Sequence, residues 1–391
     1  MALSALRYDD EAGNLMRGDS ALKHTTTTSA NPPTASFDHE DRVFARAFAV
    51  LEQGIKERAF PGASVAVIHD GKLIALKGVG RFTYEAGSPA VSGETIFDLA
   101  SVSKVVATTA MAMILCERGQ LDLEAPVAGI VPEFASGDTR RRAVTLHMLL
   151  AHSSGLPAYQ RLFENVPARE ALLREAFRMP LEADPGVRAE YSDIGFIVLG
   201  EALARIAREG LDTFCQREVF GPLGMTQTTF RPSAAWKQQI PPTVDDRDFR
   251  KRIVQGEVHD ENASVLGGVA GHAGVFAPAT DVATFAHAML SGGAPILRPE
   301  TVALFTRRES SPAGTSRALG WDTPSSPSQS GKHFSAGSFG HLGYTGTSLW
   351  IDPERRLSVT LLTNRTWPDG SSQKIKQVRP QFHDAVIEAL P

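Results

Sequence analysis

Between Val102 and Leu115 the chain is apolar nearly all round (Val102, Val105, Val106, Ala107, Ala110, Met111, Met113, Ile114, Leu115), yet it begins Ser101-Val102-Ser103-Lys104. A helix that is apolar on every side has to be buried, so the fold must wrap protein around this segment. A lysine inside such a helix is costly unless it is paired or used. A serine at a helix start has its hydroxyl near unpaired backbone N–H groups and the positive end of the helix dipole. A lysine three residues later shares its face, one turn on. The pair sets an amine beside a hydroxyl, which a serine nucleophile needs when no histidine serves as its base. The plainer alternative is a serine N-cap followed by a lysine that reaches out to water.

Ser-x-x-Lys also occurs at Ser20…Lys23, in a polar tail, and at Ser371…Lys374, where Ser371 follows the turn signal Trp367-Pro368-Asp369-Gly370 and is expected to cap a short helix. Only the Ser101 copy opens a buried helix. At 391 residues the chain has room for two domains or one composite domain. Its net charge of −4 argues against nucleic acid as a partner. No apolar stretch reads as long enough to span a membrane, so no membrane association is expected. The Arg140-Arg141-Arg142 run reads as a solvated loop. Cys116 and Cys215, the two cysteines, suit buried free thiols. No metal-ligand spacing is present, and neither a metal nor another cofactor is expected. The first twenty residues include Arg7, Asp9, Asp10, Glu11 and Arg17, unlike a secretory leader. As written the protein is expected to be cytoplasmic; a periplasmic or secreted location would require a leader that has been removed.

Residues 1–37, with Thr25-Thr26-Thr27-Thr28 and Pro32-Pro33, read as a disordered tail or linker. Phe44, Phe48, Leu51 and Ile55 predict a first amphipathic helix. Strands over 63–68 and 73–79 are joined by Asp70-Gly71, a strong hairpin signal. Residues 101–254 read as mainly helical, most clearly at 146–150 and 194–206. Strands return beyond about 260: a short one at 274–276, then 347–351 and 357–363 around Asp352-Pro353-Glu354-Arg355-Arg356. A closing helix ends at Leu390, with Pro380 expected in its first turn. The fold class is therefore α+β. One antiparallel sheet, built from both chain ends and flanked by helices, forms an α/β lobe (38–100 and 255–391). A mainly helical lobe (101–254) packs beside it, with the active site at the interface.

Two further segments carry chemistry. Tyr191-Ser192-Asp193 precedes an apolar helix, and a tyrosine held near an ammonium has its phenolate favoured, so its pKa is expected to fall. The plainer reading is a core aromatic and an N-cap; Tyr8-Asp9-Asp10 in the tail matches the same pattern. His341-Leu342-Gly343-Tyr344-Thr345-Gly346-Thr347 precedes a strand, and its glycines permit close backbone approach. Its plainer reading is a glycine-rich turn with a surface histidine. No serine fits Gly-x-Ser-x-Gly.

Taken in this order, the three segments resemble the penicillin-recognising serine hydrolases: class C β-lactamases, D-Ala-D-Ala carboxypeptidases and β-lactamase-like esterases. Those proteins carry Ser-x-x-Lys, then Tyr-x-Asn, then Lys-Thr-Gly or His-x-Gly. Residues 149–157 (Leu-Leu-Ala-His-Ser-Ser-Gly-Leu-Pro), 222–225 and 362–365 (Leu-Thr-Asn-Arg) also resemble family segments, so the likeness spans about residues 40–390. It implies that Ser101 attacks a carbonyl, that Lys104 and Tyr191 share the base role, and that Tyr191 returns the proton to the leaving group. It further implies an oxyanion hole made by the backbone N–H groups of Ser101 and Tyr344. His341, next to Gly343, would stand where the third-motif lysine stands. Asp193 replaces the usual asparagine; a carboxylate has no N–H to donate and favours charged Lys104, which shifts the base role towards Tyr191. Neutral His341 is a poorer anchor for a β-lactam carboxylate than an ammonium.

Residues 258–263 and 267–274 resemble a sub-branch of esterases and muropeptide amidases. His272 is expected to line the cleft or cap a loop. Adjacent His259-Asp260-Glu261 lacks metal-ligand spacing. The expected function is a serine carboxylesterase acting on short acyl esters through an acyl-enzyme. An amidase or D-peptidase on peptidoglycan fragments, a weak β-lactamase, and a catalytically idle scaffold are the alternatives. The expected partner is a small-molecule ester or amide.

Overall fold

Alternation of side chains along the central strands sets the architecture. In β2 (Gly62–His69) Val65 and Val67 face one apolar cluster while Ala66 and Ile68 face another. In β9 (Ser348–Asp352) Trp350 joins the first, and Leu349 and Ile351 the second. Strands covered on both faces read as near-continuous apolar runs, and β10 (Leu357–Thr363) is buried throughout.

The computed structural model describes residues 33–37, 39–166 and 168–390. Its ten strands are β1 (Thr34–Ala35), β2, β3 (Lys72–Gly80), β4 (Phe97–Asp98), β5 (Val244–Asp246), β6 (Arg252–Val254), β7 (Phe276–Ala277), β8 (Phe339–Leu342), β9 and β10. The main sheet has six, in the order β1-β3-β2-β10-β9-β8. Strands from the two chain ends meet where β2 and β10 pair antiparallel, Ala63 opposite Thr363. The Asp70-Gly71 turn has positive φ at both residues, 52° and 76°, as a tight hairpin between right-twisted strands requires. Helices Ala45–Lys56 and Ile375–Glu388 cover one face through Phe48, Leu51, Val378 and Phe382. Helix Ala279–Leu290 and the core around the Ser101 helix cover the other. The α+β layout with a sheet drawn from both ends is as expected.

Several local expectations need correction. Of the tail expected over 1–37, residues 1–32, with Ser20…Lys23 and Tyr8-Asp9-Asp10, lie outside the described residues, and Thr34–Ala35 pairs parallel with β3. The stretch expected to be helical also holds the β5–β6 ribbon, whose three-residue strands are too short to show an apolar period. Ala100–Glu117 is in fact long and apolar enough to span a membrane, but 83% of it is buried inside the protein. Arg141 is buried rather than solvated: its guanidinium donates to the carbonyls of Ser136, Phe177 and Met179. Cys215 is buried, whereas Cys116 is partly exposed.

The closing helix starts at Ile375 with Lys374 as its cap, so Ser371 caps nothing and Pro380 stands inside the helix. Proline cannot supply the N–H for the Lys376 carbonyl. Gln329 Nε2 supplies it instead, at 3.1 Å.

Candidate active site

β4 pairs with β7 and delivers the chain to Ser101. Asp98 accepts the N–H of Ala100 at 2.8 Å and of His259 at 2.6 Å. Ala100 then takes φ 47°, a region non-glycine residues enter rarely. Burial pushes the Asp98 carboxyl up to about 6, against the pull of those two N–H groups. Ala100–Val102 form a 3₁₀ turn and Lys104–Thr109 a π-helical turn before the α-helix Ala110–Glu117. Residues three apart eclipse in a 3₁₀ turn, and Lys104 Nζ lies 3.1 Å from Ser101 Oγ.

The start of helix Asp193–Ala207 brings in the second segment. Ser192 caps it, accepting the Gly195 N–H at 2.9 Å. Tyr191 Oη stands 2.7 Å from Ser101 Oγ and 2.6 Å from Lys104 Nζ. Asp193 Oδ1 is 2.6 Å from Lys104 Nζ and 2.9 Å from Tyr191 Oη. The His272 carbonyl completes the shell around Nζ at 3.0 Å. Ser101, Lys104, Tyr191 and Asp193 thus converge.

The third segment meets them from the sheet edge. A Cβ on Gly343 would lie 1.9 Å from Thr347 Oγ1 and 2.5 Å from the Leu99 carbonyl. Only glycine lets the turn after β8 press against the backbone leading to Ser101. Thr345 and Thr347 hydroxyls tie the two together by donating to the carbonyls of Asp98 and Leu99, each at 2.9 Å. Among the described residues the N–H groups of Ser101 and Tyr344 have no protein acceptor.

His341 is buried with its ring 6.1 Å from that of Tyr191. Its Nδ1–H donates to the Leu342 carbonyl at 2.8 Å, leaving Nε2 without a partner. Burial pushes it down to about 3, so it is neutral at ordinary pH.

His272 lines the cleft and pairs through Nε2 with Asp260 Oδ1 at 2.8 Å. Asp260 also caps the helix Glu261–Val265, accepting the Ala263 N–H at 2.7 Å. Burial works to raise Asp260, but its interactions with His272 and the Ala263 N–H outweigh it and hold the carboxyl at about 2. His259 packs its ring 5.6 Å from that of Tyr344.

Lys104 is fully buried, and desolvation lowers its pKa although Asp193 resists. Tyr191 moves the other way from the expected fall. Burial and the Asp193 carboxylate push it well above the ordinary phenol value.

Four oxygens surround Lys104 Nζ. Two of them, on Asp193 and His272, can only accept; the other two, the hydroxyls of Ser101 and Tyr191, can donate. A neutral amine, with two N–H groups and one lone pair, is satisfied by such a shell.

Three supporting residues had no assigned role at the sequence level. His152 accepts the Ser192 N–H on Nδ1 at 3.1 Å and the Glu190 N–H on its carbonyl at 2.8 Å, and its ring packs 4.9 Å from that of Tyr191. It thereby grips Tyr191 from both flanks. Arg317 lies over the Tyr191 ring at 5.6 Å. It comes from a loop rich in serine and proline that carries no pattern. Asp98 had a readable signal, an Asx-type turn two residues before a helix start.

Ser101 lies between two hollows. A cleft of about 930 Å³ includes Tyr159, Phe249, His259, Asp260, Tyr344 and Asp369. A recess of about 390 Å³ includes Tyr191, Arg317, His341, Arg365 and Arg379.

A serine, a buried lysine and a tyrosine that converge at the edge of a mostly antiparallel sheet flanked by helices match the serine hydrolases of the β-lactamase fold. The β-lactamase family model matches residues 47–380, and the chain belongs to that family. It is 32% identical over 345 residues to the N-acetylmuramyl-L-alanine amidase of Bacillus subtilis (strain 168), covering 78% of this chain and 77% of the relative. Among solved structures it resembles EstCE1, a hydrolase with promiscuous acyltransferase activity, at TM-score 0.72 and 25% identity, over 88% of this chain and 99% of that one. A penicillin-binding protein homologue from Caulobacter crescentus shares the fold at TM-score 0.71 and 19% identity, over 89% of this chain and 98% of the other.

Proposed function

We propose that the protein is a carboxylesterase that works through an acyl-enzyme on Ser101. The observation that carries this reading is the buried amine of Lys104, its pKa lowered by desolvation, touching the nucleophile. Lys104 is then the base. Tyr191, kept protonated, gives its proton to Lys104 across 2.6 Å as it takes the one from Ser101 across 2.7 Å. Ser101 Oγ adds to the ester carbonyl. The oxyanion lies against the N–H groups of Ser101 and Tyr344, donors aimed where the charge develops. Collapse of the adduct expels the alcohol, which takes the proton back through Tyr191. Water repeats the sequence on the acyl-enzyme and frees the acid.

Neutral His341 leaves the third motif without an ammonium, which weighs against efficient β-lactam capture. The cleft of about 930 Å³ favours a second reading, an amidase on larger polar acyl groups, in line with the amidase relative.

Hydrolysis of p-nitrophenyl acetate and butyrate, measured beside muramyl peptides and nitrocefin, tests both. Ser101→Ala should abolish turnover and fluorophosphonate labelling, and full activity in that variant refutes the assignment. Ester turnover without muramyl peptide cleavage selects the first reading, and the converse selects the second.

A further inference from the structure

Arg365 is buried, 5% exposed, and among the described residues no carboxylate lies within ion-pair distance of it. Leaving a guanidinium buried without a counter-charge is costly, so its partners need a reason. All of them are main-chain carbonyls, one on the turn at Tyr344 and two on the 370–372 segment. Nε donates to the Tyr344 carbonyl at 2.7 Å, and one terminal nitrogen donates to the carbonyls of Gly370 and Ser372, both at 3.0 Å. The Arg365 backbone N–H donates to the Thr345 carbonyl at 2.9 Å. Its guanidinium also lies over the Tyr344 ring, 4.3 Å from the centroid.

The turn is shaped to admit this side chain. Gly346 has φ 96°, and a Cβ there would lie 2.7 Å from Arg365 Cγ and 2.1 Å from Thr363 Oγ1. The brace therefore spans Tyr344, Thr345 and the 370–372 segment with one rigid planar fork, a geometry lysine cannot copy. Carbonyl partners take three of its five N–H groups but leave the positive charge uncancelled, in the same recess as Ser101.

We propose that Arg365 is a positioning residue for the oxyanion site. It holds the Tyr344 backbone so that its N–H meets the developing oxyanion, and its unpaired charge favours negative charge there. This rests on the acyl-enzyme reading of Ser101.

The test compares Arg365→Ala and Arg365→Lys with the parent enzyme. Its readouts are kcat and KM on p-nitrophenyl acetate, the rate of fluorophosphonate labelling of Ser101, and affinity for phenylboronic acid, which mimics the tetrahedral adduct. Arg365→Ala should lose about a hundredfold in kcat, the loss typical of a removed oxyanion donor, with KM within about threefold. Boronic acid affinity should fall in step, and millimolar guanidinium should restore part of the rate. Arg365→Lys should keep the fold and still lose kcat and boronic acid affinity together, so it carries the test if the alanine variant does not fold. A folded variant with parental kcat, a loss confined to KM, or boronic acid affinity unchanged while kcat falls would each overturn the proposal. Ser101→Ala separates the two levels. Hydrolysis that survives it removes the hydrolase reading, whereas hydrolysis lost there but intact in Arg365→Ala removes only the role of Arg365.

Discussion

Replacing Gly343 by alanine should cripple catalysis while leaving substrate binding nearly intact. The new methyl group would start 1.9 Å from Thr347 Oγ1 and 2.5 Å from the Leu99 carbonyl, whereas real Cβ contacts stay above 3.0 Å. The turn must therefore retreat by about 1 Å from the backbone that leads to Ser101, a shift worth about a hundredfold in rate at a reacting centre. Neither obstacle yields cheaply. Thr347 is held by its bond to Leu99, and Leu99 is bonded through its N–H to Val275 at 2.9 Å. Overpacking of this kind costs about 1–3 kcal/mol of stability. The assay is steady-state hydrolysis of p-nitrophenyl acetate beside thermal unfolding. The expected outcome is kcat down about a hundredfold, KM within about threefold and a Tm lower by a few degrees. A folded Gly343→Ala enzyme with kcat within about threefold of the parent would refute both the close contact and the oxyanion role of the adjoining Tyr344 N–H.

The pH profile tests the assignment of base and acid. Lys104 must lose its proton to act, so kcat/KM should rise with pH through a lysine pKa set below the ordinary value, and Tyr191, held above the phenol range, should leave no alkaline fall below about pH 10. A bell that closes near neutrality would refute this. His152→Leu removes the acceptor for the Ser192 N–H and should cost about 1–3 kcal/mol in unfolding experiments, the penalty for a buried unpaired donor, together with at least about tenfold in kcat. His152→Asn, which keeps an acceptor near Nδ1, should recover most of both, and equal losses in the two variants would exclude the grip on Tyr191.

Local patterns were legible because their causes are local. Asp70-Gly71 announced its hairpin through the positive φ both residues tolerate, and the apolar run Val65-Ala66-Val67-Ile68 just before it marked a strand. The Ser101–Lys104 pair was readable from its spacing together with the apolar helix it opens, since the spacing by itself occurs three times. Pro380 and Arg141 misled for the same reason in reverse. Each looked incompatible with its true environment, and each is accommodated by a distant partner, the amide of Gln329 in one case and the carbonyls of Ser136, Phe177 and Met179 in the other.

Resemblance to a family pointed to Tyr191 and the His341 segment, but the order of their acidities did not follow from the residues present. An ammonium beside a phenol pulls its pKa down, and burial beside Asp193 pushes it up; packing settles which prevails. Arg365 and His152 are likewise invisible as functional groups until the chain is folded, since their bonds run to main-chain atoms of remote segments. Backbone preference and side-chain period act over a few residues, so the linear code carries the elements and the Ser101–Lys104 pairing. Desolvation and contacts across some 90 residues of chain arise only from packing, and they set the opposite shifts of Lys104 and Tyr191 and the bonds that hold both in place.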